Sequence, residues 1–267
     1  MKTRAITGFF FVIAMLGSLL LGAEVFAIFY LLLASACLFE FYGMFSAAEI
    51  QPRRTLGLFL GFLSFTLLVL ADFGLVPTTS LAFILLLLPI LMISQLYRLE
   101  VKPFERIAAT LLGIFYVILP FYCFYQLGFV SDRYQFQLPL GFFLMLWAND
   151  TGAYLIGRAF GRTKLLERIS PGKTWEGFVG GLVSAILVGF ILHQYTVGIL
   201  LQWQWITVAV LISTFGTLGD LTESMLKRSL GVKDSGKLLP GHGGLLDRFD
   251  GLLIAAPVVY VFLAVVS

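Results

Sequence analysis

Between Ser224 and Gly251 an otherwise apolar chain gathers the cations Lys227, Arg228, Lys233, Lys237 and Arg248. The same stretch holds the carboxylates Asp234, Asp247 and Asp250, and His242 set between Gly241 and Gly243. Cations bind phosphate oxygens, carboxylates hold a divalent metal, and glycine lets the backbone come close to a ligand. Together they suit a polyphosphate with its metal ion. The plain alternative is a charged loop between two membrane helices.

Upstream of this stretch, Asp220, Glu223, Ser224 and Lys227 have the i, i+3, i+4, i+7 spacing that puts side chains on one helix face. Asp247 and Asp250, at i and i+3, share a face where the last apolar segment begins. Two carboxylates from different helices can hold a Mg²⁺ that keeps water ligands for substrate phosphates. The structural alternative is an ion pair such as Asp220 with Arg228. Asn149 and Asp150 interrupt another apolar run. An ionisable group at that depth is expensive, which marks Asp150 either as functional or as a hydrogen-bond anchor between helices. Glu40 is a similar case with less chemistry around it, and a structural or interfacial role is expected for it.

The run Ile169–Gly177 contains Ser170, Lys173, Thr174 and Glu176. Gly172-Lys173-Thr174 resembles the tail of a P-loop, but the upstream glycine spacing is absent and no strand precedes it, so that reading fails. Ser170-Pro171 is expected to open a turn or helix start whose free amides favour an anion. Lys173 would add a point charge, or simply contact lipid headgroups.

The elements that must position these groups are membrane helices. Of 267 residues 59% are hydrophobic and 12% charged, whereas soluble domains carry about 25% charged residues. An all-α, polytopic integral membrane bundle follows. About 20 apolar residues cross a bilayer as helix. On that measure the segments are Ile6–Gly22, Val25–Phe45, Leu56–Ala71, Leu81–Tyr97, Ile107–Leu127, Pro139–Ile156, Phe178–Tyr195, Ile206 to about Leu221, and Leu252–Val266. These give about nine crossings, the third and sixth being marginal. With the N-terminus inside, Arg133 alone among the lysines and arginines falls in an outer loop, while Glu24, Asp72 and Asp132 lie outside. The positive-inside rule then gives a cytoplasmic N-terminus and a periplasmic C-terminus, with both polar-rich stretches on the inner face. Residues 1–138 read as scaffold helices and 139–267 as the catalytic membrane domain. Gly157 and Gly161, and Gly177 and Gly181, have the spacing of close helix packing. Cys37 and Cys123 lie in apolar runs, without disulfide or zinc spacing. No nucleic-acid partner is expected.

The polar residues resemble a known family. Ser224-x-Leu226-Lys227-Arg228, then Lys233-Asp234-x-Gly236, Leu239-Pro240-x-His242-Gly243-Gly244 and Asp247-Arg248-x-Asp250 look like the signature of the phosphatidate cytidylyltransferase (CDP-diacylglycerol synthase) family. Asn149–Tyr154 and Ser170–Gly177 look like its upstream blocks. The resemblance is specific over roughly the C-terminal half. It implies that CTP and phosphatidic acid give CDP-diacylglycerol and pyrophosphate at a cytoplasm-facing site, with Mg²⁺ and a two-metal centre. Its metal carboxylates match Asp220 and Asp247.

The expected roles follow. Asp220 and Asp247 hold metal, and Asp250 and Asp150 complete the site. Lys227, Arg228 and Lys233, with Asp234 beside them, serve the phosphates of CTP, and Lys173 the lipid phosphate. Ser170, Thr174, Glu176, Glu223, Ser224, Gly243, Gly244 and Arg248 line the substrates. His242 is expected to donate to phosphate rather than act as base. The partners are CTP, phosphatidic acid and the bilayer of a bacterial inner membrane, with a homodimer also expected. A CTP-dependent lipid-alcohol kinase and a transporter of an anionic solute are the competing functions; charge clustered on one face and the lack of an inverted repeat weigh against the transporter.

Overall fold

Inside a bilayer a lone segment satisfies its backbone only as a helix, and helices cover each of the apolar segments above. The structure, a computed structural model, describes residues 2–98, 101–131, 133–196, 198–239 and 243–266. The helices are α1 (Lys2–Leu20), α2 (Ala23–Met44), α3 (Arg54–Asp72), α4 (Leu87–Leu96), α5 (Pro103–Gly113), α6 (Leu119–Gln126), α7 (Gln137–Phe160), α8 (Trp175–Tyr195), α9 (Gln202–Ser229) and α10 (Asp250–Val266). A 3₁₀ stretch, Thr78–Leu86, leads into α4. Among the described residues six helical units are long and apolar enough to cross a membrane. The 24-residue α7 is not among them, because Asn149 and Asp150 in its middle lower its apolar character.

Two local features depart from the expected plan. The run expected as a turn or helix start at Ser170 is instead a strand. β1 (Lys164–Leu166) and β2 (Ser170–Thr174) pair antiparallel, with Leu166 opposite Ser170 and Lys164 opposite Thr174. Pro171 cannot donate to a ladder, and a two-stranded ribbon has an open edge that tolerates it. Helix α8 starts only at Trp175, where Thr174 Oγ1 accepts from the Gly177 amide at 3.2 Å. The second feature joins α5 to α6: Ile114–Ile118 is a π-helical turn. Pro120 lacks an amide hydrogen and crowds the carbonyl four residues back, on Tyr116, so the ladder widens there.

Rings dominate the core. Phe26, Tyr30, Phe124 and Phe143 contact one another across α2, α6 and α7. Phe249, buried at the head of α10, meets Phe11, Phe121 and Phe143. It thereby fixes the turn carrying Asp247 and Asp250 to the body of the bundle. Aromatic pairs contribute about 0.5–1.5 kcal/mol each beyond their buried area.

Glycine sets how closely α7–α10 pack. The packing expected of Gly157 and Gly177 holds: a Cβ on Gly177 would lie 3.2 Å from the Gly157 Cα. At Gly219 the fit is closer still. A Cβ there would lie 2.4 Å from the Asp250 carbonyl and 3.0 Å from the Gly251 Cα. Only glycine lets α9 and α10 meet at the level of Asp220 and Asp250.

Candidate active site

Helix α9 presents the acidic stripe as its spacing requires. Ser224 Oγ donates to Asp220 Oδ1 at 3.3 Å, and Lys227 Nζ donates to Glu223 Oε2 at 3.2 Å. Lys227 also reaches Asp247 Oδ1 at 2.6 Å, and so ties α9 to the turn Leu246–Arg248. The other oxygen, Asp247 Oδ2, accepts from the amides of Ser235 at 3.1 Å and Gly244 at 3.0 Å. Burial alone would raise the Asp247 carboxyl, but the Lys227 ammonium and the Ser235 amide outweigh it and hold the group below the usual carboxylate range. Gly243 beside it has φ +84°, a left-handed backbone suited to glycine.

Two turns up the same face, Asp220 meets a different cation. Lys173, from β2, lies 2.6 Å from Asp220 Oδ2 and donates to the Thr217 carbonyl at 3.4 Å. The ion-pair reading of Asp220 was therefore right in kind, but the partner is Lys173 rather than exposed Arg228. Asp220 and Lys173 border a cavity of about 380 Å³, which Asp150, Tyr154, Arg158 and Thr217 also line. Asn149 takes the helix-anchoring role, accepting from Ser213 Oγ at 2.6 Å across to α9, while its neighbour Asp150 borders the cavity.

Asp250 heads α10, where its backbone meets Gly219, the residue before Asp220. Seven residues of helix separate Asp220 from Lys227, roughly 10 Å along the axis. The chain thus has two carboxylate posts a short distance apart, each capped by a lysine.

Other expected residues fall elsewhere. Glu176 accepts from the amides of Arg162 and Thr163, both at 3.1 Å, and pins the start of the hairpin. Thr174 caps α8 while bordering the cavity. Ser170 is half-buried at the start of β2, and Lys233, Asp234 and Arg248 are exposed. His242 lies outside the described residues, as do Pro240, Gly241 and Asp132.

Sequence reasoning missed Tyr116. Its hydroxyl is buried without a hydrogen-bond partner. The available signal was Pro120, whose spacing displaces that turn. Glu223 Oε1 is likewise buried and unpartnered. Buried polar atoms are normally bonded, so an orphan carboxylate oxygen in an acidic cluster fits a cation. Among the described residues no three His, Cys, Asp or Glu side chains form a ready-made metal cage. Mg²⁺ does not need one, since it commonly takes one or two carboxylates plus water and phosphate. Asp220 and Asp247 each already hold one cation, a lysine ammonium at 2.6 Å, and in the chemistry of its donors this residue set fits Mg²⁺.

The sequence profile of the cytidylyltransferase family matches residues 2–266. A phosphatidate cytidylyltransferase of Bacillus subtilis is 32% identical over 274 residues, covering 100% of this chain and 99% of the relative. One from Staphylococcus epidermidis is 43% identical over 160 residues, and one from Haemophilus influenzae 49% over 124. The chain spans 60% of the length of the staphylococcal relative and 43% of the Haemophilus one. The match to the family profile runs from α1 to the end of α10 and so includes both lysine-capped carboxylates: the chain belongs to the cytidylyltransferase family.

Proposed function

We propose that this chain transfers the CMP moiety of CTP to phosphatidic acid, forming CDP-diacylglycerol and pyrophosphate. The observation that carries this reading is the pair of contacts Lys173–Asp220 and Lys227–Asp247, each at 2.6 Å and two turns apart along α9, the first of them bordering the cavity. A site for two polyanions needs cations to hold them and carboxylates to hold a counter-ion, and both are stored here as ion pairs. Family membership and the activity named for the relatives support the same reaction.

No enzyme nucleophile is needed. An oxygen of the lipid phosphate attacks the α-phosphorus of CTP, and the bond from that phosphorus to the bridging oxygen of the β-phosphate breaks. The bonding electrons leave on pyrophosphate. The chain's task is to bring both anions together and oppose their charge. Asp220 and Asp247 are the residues to hold Mg²⁺, with Glu223 and Asp250 near enough to complete the charge balance and to serve a second ion. When bound, Mg²⁺ supplies charge neutralisation to the departing pyrophosphate. Lys227, released from Asp247, then faces the phosphates of CTP, and Lys173, released from Asp220, faces the lipid phosphate. Asp150 orders the cavity that Lys173 and Asp220 border. Arg228, Lys233 and Arg248 extend the cationic surface for the nucleotide, and His242 donates to a phosphate oxygen.

We place the N-terminus and this site on the cytoplasmic face of a bacterial inner membrane, with nine crossings and a periplasmic C-terminus. Segregation of lysine and arginine supports that placement. Labelling of a single cysteine added after Val266 by a membrane-impermeant reagent on intact spheroplasts is the expected result; protection would reverse the topology. A symmetric dimer is carried as an expectation for light scattering in detergent.

Product analysis tests the reaction. With purified protein, Mg²⁺ and phosphatidic acid, label from [α-³²P]CTP enters the lipid and label from [γ-³²P]CTP leaves as pyrophosphate. Gamma label in the lipid instead establishes a kinase. Chelation of Mg²⁺ by EDTA is expected to stop turnover, and restoring Mg²⁺ to recover it.

Gly219→Ala gives a second, geometric test. The added methyl forces α9 away from α10, and a displacement near 1 Å at reacting groups costs roughly 100-fold in rate. Turnover is expected to fall by that order while the far-ultraviolet circular dichroism stays that of wild type. Full activity would show that the Asp220–Asp250 spacing does not matter.

A further inference from the structure

Glu40 lies in α2, in the half of the chain that carries none of the polar signature, and it is 3% exposed. Its carboxylate accepts from the Leu238 amide at 3.0 Å and the Leu246 amide at 2.9 Å. The hydroxyl of buried Ser235 lies 3.5 Å away. All three donors are neutral. A carboxylate removed from water is costly unless such bonds hold it, and bonds to an ionised acceptor are the strong kind.

The three donors bracket one functional group. Ser235 turns its own amide to Asp247 Oδ2. Leu246 directly precedes Asp247 in the chain. Leu238 closes the loop between them. Two glycines allow the approach: a Cβ on Gly236 would overlap the Glu40 carboxylate, and one on Gly244 would overlap Ser235 Oγ. Both ends of the 235–246 loop are therefore pinned to a single buried carboxylate on another helix.

The geometry points to Glu40 as a positioning residue that holds the Asp247 carboxylate in place for its cation. This inference rests on the metal role given to Asp247 above. It also gives α2 a part in the site that a division of the chain at residue 138 would not.

Glu40→Gln is the test. The glutamine keeps the shape but places an amide donor against one of the backbone amides, so one side of the loop is released. In detergent-purified, folded protein, hydrogen exchange at the Leu238 and Leu246 amides is expected to quicken at least tenfold, with α7 and α8 unchanged. Mn²⁺ affinity, read by electron paramagnetic resonance without substrates, is expected to weaken roughly 10-fold, the usual effect of losing a partner that orients a ligand. The kcat for CMP transfer is expected to fall by a similar factor, with the KM for phosphatidic acid unchanged.

Ser235→Ala keeps the amide bond to Asp247 and removes only the hydroxyl. It is expected to weaken Mn²⁺ binding in the same direction by less, and it serves if Glu40→Gln does not fold. Wild-type exchange and wild-type Mn²⁺ affinity in either folded variant overturn the positioning role. Should the wild-type protein bind Mn²⁺ in a Glu40-dependent way and yet transfer no CMP from CTP, the positioning role stands and the proposed reaction fails.

Discussion

Asp247→Asn is expected to lower CDP-lipid formation by roughly 10³-fold, the upper range for removing one preorganised electrostatic contact from a reacting site. Three interactions change together. The anion opposing Lys227 at 2.6 Å becomes a neutral amide. One side of that amide is now a donor, facing either Lys227 or the amides of Ser235 and Gly244. The affinity of the post for a divalent cation falls with its charge. Stability should suffer much less, because Lys227 retains Glu223 at 3.2 Å and Glu40 still holds the loop. Initial rates with labelled CTP, alongside a melting curve in detergent, separate the two effects. A folded variant with wild-type turnover removes Asp247 from the chemistry.

What could be read in the sequence was whatever depends on local spacing. The stripe Asp220, Glu223, Ser224, Lys227 follows from the pitch of a helix, and the bonds Ser224–Asp220 and Lys227–Glu223 bear it out. The apolar runs gave helices for the same reason. Glu40 was expected to be structural or interfacial because little chemistry surrounds it in the sequence; its partners, Ser235, Leu238 and Leu246, lie about 200 residues along the chain and could not be read from spacing.

Partners distant in sequence could not be read so directly. Asp220 could be assigned a cation by need, but the candidate offered, Arg228, came from its own helix. The partner it meets comes from a hairpin, and helix periodicity says nothing about that. The hairpin itself was hidden because Ser-Pro-Gly-Lys-Thr lacks the alternation of a half-buried strand. Tyr116 was hidden differently. Its residue type is ordinary for a membrane helix, and only the later proline moves it out of the regular register. Glu176 was expected to line a substrate as part of the Ser170–Gly177 block, and its bonds to the Arg162 and Thr163 amides are again contacts that helix periodicity does not show.

Lys227→Met is the sharpest test of whether the stored ion pairs serve catalysis or only the fold. Glu223 is fully buried and Asp247 nearly so, with side-chain exposures of 0% and 15%. Deleting the ammonium leaves both carboxyl groups without their shared partner. Breaking a buried pair costs about 3–5 kcal/mol, and the 13% exposure of Lys227 places this case toward the lower end. Turnover is expected to fall roughly 10²-fold as a phosphate contact is lost, but that fall could follow from instability alone. The double variant Glu223→Gln with Lys227→Met removes one carboxylate along with the cation, so the melting temperature should recover most of the loss. If Lys227 holds phosphate during the reaction, turnover stays below that of Glu223→Gln alone despite the restored fold, and the KM for CTP stays raised above that of the single variant. Recovery of turnover in step with stability would instead make the Lys227 clamp a structural element and leave the nucleotide to Arg228 and Lys233.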